Sequence, residues 1–241
     1  MGNQHTELKE LGWSDWLEQR GERKSTDTIA RVAAVDRDQL LVVDSTGACR
    51  GKLAGSYRHR HHLPHELPCV GDWVCLGKPS GDDLGVVYAL LGRRTSLRRK
   101  PAGNIIENQM IAANVDHVVI VPSCQVDFNL KRLERYLVMG TECGAEPYVL
   151  LTKTDLVDPA VLAAQRTEIR SAGFTAPIGA LSSLTWDGVD ALKALLLPRK
   201  SYWFVGVLYK CSAKEFATSP FRSQAQEFGP LAQVVGDGFI H

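Results

Sequence analysis

The spacing of hydrophobic residues changes near residue 100, which predicts two regions of different architecture. Before that point, short apolar runs alternate with turn residues, as in strands joined by tight connections. Five short strands within about 65 residues are typical of a small OB-type barrel, although an SH3-like barrel would give a similar pattern. The candidate strands are Ile29–Val35, Leu40–Val43, Ala48–Leu53, Trp73–Leu76 and Val86–Leu90.

The segment ahead of these strands is predicted to form a helix and a linker. Within Glu7–Gln19, leucines and tryptophans lie among charged residues, as in a short amphipathic helix. Gly21–Asp27 is polar and typical of a turn-rich linker.

Beyond residue 100 the pattern is that of buried strands alternating with amphipathic helices. Val118–Val121 and Tyr148–Leu151 are continuous apolar runs, as expected of strands buried on both faces of a parallel sheet. Further elements are predicted at Leu130–Thr141 (helix, with Asn129 as N-cap), Asp158–Gly173 (helix), Val189–Leu196 (helix) and Tyr202–Val205 (strand). The order strand, helix, strand, helix, helix, strand predicts an open, mostly parallel α/β sheet.

The predicted fold class is therefore an N-terminal OB-type β-barrel followed by a partial α/β domain. The expected segments are 1–26 (helix and linker), 27–100 (barrel), 101–206 (partial α/β domain) and 207–241 (a divergent tail without a clear period).

Composition narrows the class of protein without identifying it. The chain has 241 residues, of which 44% are hydrophobic and 23% charged, with a formal net charge of +1. The opening residues Met1–Glu10 are polar, and the longest apolar runs are too short to cross a bilayer. The 6 cysteines include no C-x-x-C pair. We therefore expect a cytoplasmic protein with free thiols and no membrane partner.

Basic residues cluster in two places and predict an RNA-binding surface. The candidates are Arg58, Arg60, Arg93, Arg94, Arg98, Arg99 and Lys100. Such clusters attract phosphate backbones independently of sequence, although a solvated basic turn would look the same. The histidines among them, His59, His61, His62 and His65, lack cysteine partners, so no metal site is predicted.

Thr152-Lys153-Thr154-Asp155 is the motif that points to chemistry, because it directly follows a predicted buried strand. Ligands of open α/β sheets bind beyond the carboxyl ends of strands. The carboxylate of Asp155 can accept two hydrogen bonds from guanine, whereas adenine offers no such pair of donors. Thr152, Lys153, Asp155, Ser182 and Ser183 are the candidate guanine-binding residues. A polar strand-to-helix loop remains the alternative.

These loops come without a preceding phosphate loop, which is the order of a circularly permuted GTPase. Between about Leu11 and Gly206 the chain resembles the permuted GTPase family of the RsgA/YjeQ type. The matching segments are Val70–Val74, Arg93–Lys100, Gln109–Asp116, Asp127–Asn129, Arg132–Leu137 and Thr152–Asp155.

The resemblance implies a late-acting maturation factor of the small ribosomal subunit. Such a protein binds the subunit and its rRNA, and hydrolyses GTP when the subunit stimulates it. The family also implies Mg²⁺ at the phosphates and Zn²⁺ in a C-terminal Cys/His domain. We expect a cytoplasmic monomer.

The sequence departs from the family after Gly206. There the family has a glycine-rich phosphate loop, whereas Val207–Ser212 contains bulky residues and no second glycine. The D-x-x-G motif and the zinc domain are also missing from the sequence, so ligands for Mg²⁺ and Zn²⁺ are absent and only the guanine part of a GTP site is expected. We expect little or no hydrolysis and no catalytic residue. The tail could reflect a shifted reading frame or gene remnant, a natural RNA-binding module without GTP chemistry, or a site completed by a partner chain.

Overall fold

The computed structural model describes residues 7–20, 27–37, 39–77, 84–99, 109–125 and 128–206. Two compact units divide the chain, residues 1–115 and residues 116–241. No helix in the described ranges is long and apolar enough to cross a membrane.

A closed five-stranded barrel forms the body of the first unit. Its strands are β1 (Thr28–Asp36), β2 (Gln39–Asp44), β3 (Gly47–Leu53), β4 (Trp73–Gly77) and β5 (Gly85–Leu90). Around the barrel the order is β1-β2-β3-β5-β4, and β4 closes it by pairing with β1. Only the β3–β5 pair is parallel. The predicted OB-type barrel is confirmed.

Side chains alternate between the inside and the outside of the barrel along each strand, and the inward-facing ones are aliphatic. Val32, Val42, Val74 and Val87 are fully buried and pack in one cluster. Burial of each of these side chains stabilises the folded barrel by roughly 1.5–3 kcal/mol relative to an exposed side chain.

The predicted helix over Glu7–Gln19 is wrong as a single element. Residues 7–10 are helical, a turn follows, and helix α1 spans Asp15–Arg20. Gly12 has a φ of +89°, which breaks the right-handed helix between the two pieces. Because of this break, Trp13 packs edge-on against Trp73 of the barrel with ring centroids 5.0 Å apart.

Two short strands of the first unit were not predicted. β6 (Ser96–Arg99) and β7 (Gln109–Ala113) form an antiparallel pair after the barrel. Basic residues on β6 obscure its apolar alternation, in which Leu97 points inward and Arg98 outward. The basic cluster Arg93–Lys100, for which a solvated turn was the alternative to an RNA-binding surface, is therefore partly a strand.

The second unit is a parallel α/β sheet, as predicted. Its strands, β8 (His117–Ile120), β9 (Glu146–Thr152), β10 (Ile178–Leu181) and β11 (Tyr202–Val205), are arranged β10-β9-β8-β11. The intervening helices are α3 (Leu130–Glu142), α4 (Pro159–Ser171) and α5 (Val189–Leu195). The short helix α2 (Gly55–Arg60), between β3 and β4, is called the barrel helix below. The predicted N-cap Asn129 is confirmed, because its side chain accepts a hydrogen bond from the N–H of Arg132 at 3.0 Å. Asp158 caps α4 in the same way and accepts the N–H of Ala160 at 2.8 Å.

The predicted succession of two helices without an intervening strand is wrong. β10 lies between α4 and α5 and pairs with β9. Its four residues include Gly179 and Ala180, which weaken the apolar signal on which a prediction depends. The strand places Ser182 at the same edge of the sheet as Thr152.

Candidate functional site

The two candidate guanine-binding loops meet at the carboxyl edge of the parallel sheet. Leu181 at the end of β10 lies in register with Thr152 at the end of β9. Lys153 then turns the chain with a φ of +59°, and a short 3₁₀ turn carries Asp155. The Asp155 carboxylate accepts a hydrogen bond from the hydroxyl of Ser182. The structure thus brings together two loops that lie 27 residues apart along the chain.

Ser182 is the fixed centre of this arrangement. It is fully buried, and its hydroxyl accepts the N–H groups of Leu184 and Thr185, each at 3.1 Å. Its own N–H donates to the carbonyl of Asp187 at 3.0 Å. With its oxygen occupied by two donors, the hydroxyl proton is directed to Asp155. Ser182 therefore acts as a positioning residue for Asp155, while Ser183 and Lys153 remain exposed beside them.

The side chain of Thr152 is used inside the sheet. Its hydroxyl donates to the carbonyl of Pro122 at 3.1 Å, and its N–H donates to the same oxygen at 3.0 Å. Its carbonyl accepts the N–H of Cys124 at 3.0 Å. Thr152 therefore ties the loop after β9 to the loop after β8.

Two further residues, Gln165 and Gly188, shape this edge of the sheet and were not predicted to do so. The buried Gln165 on α4 donates to the carbonyl of Cys124 at 2.8 Å. Gly188 has a φ of +77°, and a Cβ there would lie 1.9 Å from the carbonyl oxygen of Ala180. A glycine is thus required where the Ser182 loop returns to α5; the signal in the sequence is its place directly before the helix.

Arg93 differs from the other candidate RNA-binding residues because its guanidinium is used internally. It forms two hydrogen bonds with the buried carboxylate of Asp72, at 2.7 and 2.6 Å. It also donates to the carbonyls of His65 and Leu67. Burial alone would lower the pKa of Arg93, but the hydrogen bond and charge of Asp72 outweigh it and raise the pKa. Arg93 is a structural clamp of the barrel.

The other basic candidates lie on the surface where the structure describes them. Arg58, Arg60, Arg94 and Arg98 have exposed side chains. Arg99 ends β6, and Lys100 lies outside the described residues. The chain therefore presents exposed cations on the barrel helix and on the segment that follows the barrel.

Sequence reasoning missed a basic pair on β3. Arg50 and Lys52 are both exposed, and their spacing of two residues places them on one face of the strand. Strands 2 and 3 of OB barrels commonly form the oligonucleotide-binding face. Basic residues at alternate positions of a predicted strand were the available signal.

The residues that the structure describes do not support a metal site. Across these ranges, no group of three or more His, Cys, Asp or Glu side chains is placed to hold a metal ion.

Comparisons with known proteins agree with this geometry. Residues 90–207 match the model of the RsgA GTPase family. The small ribosomal subunit biogenesis GTPase RsgA of Streptomyces coelicolor is 36% identical over 195 residues, covering 80% of this chain and 52% of that protein. Its namesake from Opitutus terrae is 31% identical over 241 residues, covering 96% and 65%. The chain thus spans between about half and two thirds of the length of these relatives.

Solved structures are similar to this chain in fold. YjeQ from Thermotoga maritima has a TM-score of 0.61 at 25% identity, over 76% of this chain and 61% of that one. YloQ, described as a circularly permuted GTPase, has a TM-score of 0.57 at 19% identity, over 79% and 63%, and supports the fold alone. Residues 90–207, which include the two candidate guanine-binding loops and the segment after the barrel, are thus similar in sequence to the RsgA GTPase family, and the chain is similar in fold to YjeQ.

Proposed function

We propose that this chain acts in the maturation of the small ribosomal subunit, docking on its rRNA and binding guanine nucleotides through Asp155. The relatives are named small ribosomal subunit biogenesis GTPases, which supports the partner. The observation that carries the nucleotide assignment is the hydrogen bond from the buried Ser182 to the exposed Asp155. We place the protein in the cytoplasm, acting late in maturation as a monomer.

The carboxylate of Asp155, positioned by Ser182, matches the hydrogen-bond donors of guanine. Guanine presents an N1–H and an exocyclic amine side by side, and an aspartate can accept from both. Adenine would leave the carboxylate without these partners, and unmatched polar groups cost about 1–3 kcal/mol each. Because Ser182 already holds the Asp155 side chain in place, little conformational entropy of that side chain is lost when a nucleotide binds. Lys153 can lay its aliphatic stem along the base.

Docking on rRNA is supported by the exposed cations of the first unit. Arg50 and Lys52 lie on the β3 face, while Arg94 and Arg98 follow the barrel. Phosphate contacts from such residues give salt-dependent binding without sequence preference. The same observation favours a second candidate function, a non-catalytic OB-type RNA-binding module that uses no nucleotide.

Replacing Arg94 and Arg98 together by glutamate should weaken binding to small ribosomal subunits. Two phosphate contacts would be lost, so the slope of log K against log salt should fall by about 2. Arg93 is retained, because its substitution would damage the barrel. Sedimentation of the variant with subunits over a range of salt concentrations measures the effect. Lys131→Glu, a charge reversal at an exposed position of α3, is the control and should bind as the native chain does. Equal loss in both variants would contradict the proposed docking surface.

Hydrolysis of GTP by these 241 residues should be negligible even with small subunits present. Directly after Gly206, Val207–Ser212 contains no second glycine and has the bulky Leu208 and Tyr209, which do not form the close backbone cradle of a phosphate loop. Phosphate release from radiolabelled GTP, with and without subunits, measures this.

Competition binding should nevertheless show GDP preferred to ADP by at least about tenfold, and the preference should vanish in Asp155→Ala.

Two outcomes of this experiment would decide between the candidate functions. Subunit-stimulated phosphate release would refute the expected lack of hydrolysis. Equal binding of GDP and ADP by the native chain would refute the guanine site and leave the RNA-binding module.

A further inference from the structure

Two exposed histidines face each other on the surface of the barrel unit. His59 lies in the last turn of the barrel helix and His62 just beyond it, with ring centroids 6.1 Å apart at an angle of 84°. Both side chains are exposed, and Arg58 and Arg60 flank them. We call His59 and His62 the histidine pair. The pair combines two titratable rings with two permanent cations on one short stretch of surface.

The backbone that carries the pair is held in place on both sides. The hydroxyl of Tyr57 donates to the carbonyl of Glu66 at 2.8 Å. The N–H groups of His62 and Leu63 donate to the Glu66 carboxylate at 3.1 Å. Arg93 binds the carbonyls of His65 and Leu67 from the other side. The backbone positions from which the two rings project are thus fixed by the fold.

The acidic groups packed near the pair already have partners. Glu66 lies 3.9 Å from the Nδ1 of His61, whose ring stacks on Tyr57. The N–H of Leu63, with His61 nearby, keeps the pKa of Glu66 below its ordinary value. Asp72 is neutralised by Arg93. The remaining charged or titratable groups between Tyr57 and Leu67 are Arg58, Arg60 and His65, so every such group of this stretch other than Tyr57 and Glu66 is basic.

Protonating both rings of the pair brings two positive charges close together. Repulsion opposes this in the absence of an anion, and a phosphate group beside the rings relieves it. Anion binding and proton uptake therefore favour each other at this spacing. We propose that His59 and His62 form a proton-linked site for the phosphodiester groups of RNA, an inference that rests on the proposed docking to rRNA.

RNA affinity should therefore rise as the pH falls, because each proton gained adds a positive charge that faces phosphate. Histidine changes charge between about pH 8 and pH 5. Each phosphate neutralised on a single strand changes the salt slope by about 0.7, so the pair should steepen the slope by about 1.4 on acidification.

A first experiment tests the pair without RNA. The imidazole signals of the full chain are followed by NMR through a pH titration, in chloride and in inorganic phosphate of equal ionic strength. Single substitutions, His59→Gln and His62→Gln, assign the two signals. We expect the titration midpoints of both rings to move upward in phosphate, while that of His65 stays in place. Coinciding midpoints in the two buffers would overturn the proposal.

A second experiment measures binding of a fluorescein-labelled oligouridylate over a range of salt concentrations at about pH 8 and about pH 5.5. The native chain and His65→Gln should show the steeper slope at the lower pH. The double variant His59→Gln/His62→Gln should show equal slopes. The variant His59→Arg/His62→Arg, which carries the charges permanently, should bind at the higher pH as the native chain binds at the lower.

The outcomes separate this inference from the proposed function. A native chain that binds RNA with the same slope at both pH values refutes the proton-linked site and leaves the docking intact. No RNA binding at either pH refutes the docking and this inference together. A pH effect that persists in the double glutamine variant refutes the assignment to the histidine pair.

Discussion

Arg93→Ala is expected to destabilise the barrel by about 3–5 kcal/mol, the cost of leaving a buried charge without its partner. Asp72 is fully buried, and both of its carboxylate oxygens accept hydrogen bonds from Arg93. The carbonyls of His65 and Leu67 would lose a donor as well. Unfolding in urea, with hydrogen exchange of peptides from the barrel as the readout, measures the change in the free energy of unfolding. Arg93→Lys keeps the charge but not the forked geometry, so it should fall between alanine and the native chain.

Arg98→Ala is the matched control, since it removes an arginine whose side chain is exposed five residues further on. A change within about 0.5 kcal/mol is expected for such a surface position. Similar small losses in Arg93→Ala and Arg98→Ala would contradict the clamp. If the clamp is right, a charge reversal that includes Arg93 would abolish RNA binding by unfolding, and would say nothing about contact with RNA.

Gly188→Ala is expected to destabilise the α/β unit by about 2–5 kcal/mol and to disrupt the proposed guanine site. A left-handed backbone at an alanine costs about 1–2 kcal/mol. The overlap of the new Cβ with the Ala180 carbonyl, at 1.9 Å, adds more because backbone must move. That movement displaces the loop from Ser182 to Gly188 and with it the support of Asp155. Thermal unfolding and competition between GDP and ADP measure the two effects.

Gly173→Ala separates the two contributions. Gly173 also has a positive φ, of +87°, but nothing lies within 4 Å of the place where its Cβ would stand. It should therefore lose only about 1–2 kcal/mol and keep its preference for guanine. Equal losses at the two positions would show that steric overlap at Gly188 contributes nothing.

The barrel and the parallel sheet could be predicted from sequence because local patterns determine them. Apolar runs such as Val118–Val121 have few alternatives once helices flank them. Short or mixed elements were missed for the opposite reason. β10 is four residues long with a glycine and an alanine, and basic residues on β6 hide its alternation. Gly12 was read as part of a helix, although its φ of +89° breaks the helix and allows Trp13 to pack against Trp73, a contact between distant parts of the chain.

The candidate site was predicted in its residues but not in their roles. Asp155 was identified from its place after a predicted strand, whereas the strand before Ser182 was not predicted. The pairing of β9 with β10 brings the two residues together. That Thr152 points toward Pro122 and that Arg93 neutralises Asp72 depends on contacts between distant parts of the chain. Sequence reveals which residues carry charge, whereas the fold decides which charges remain available.

The pairing of β8 with β11 also sets the order in which the second unit can form. Tyr202 pairs with His117, so one side of β8 has no partner until a chain emerging from the ribosome has grown by 85 residues, from position 117 to position 202. At synthesis rates of about 5–20 residues per second, this takes roughly 4–17 s. The barrel strands, which all lie before residue 91, can close in the meantime. During that interval the nascent protein would expose an apolar strand edge, the kind of surface to which chaperones bind.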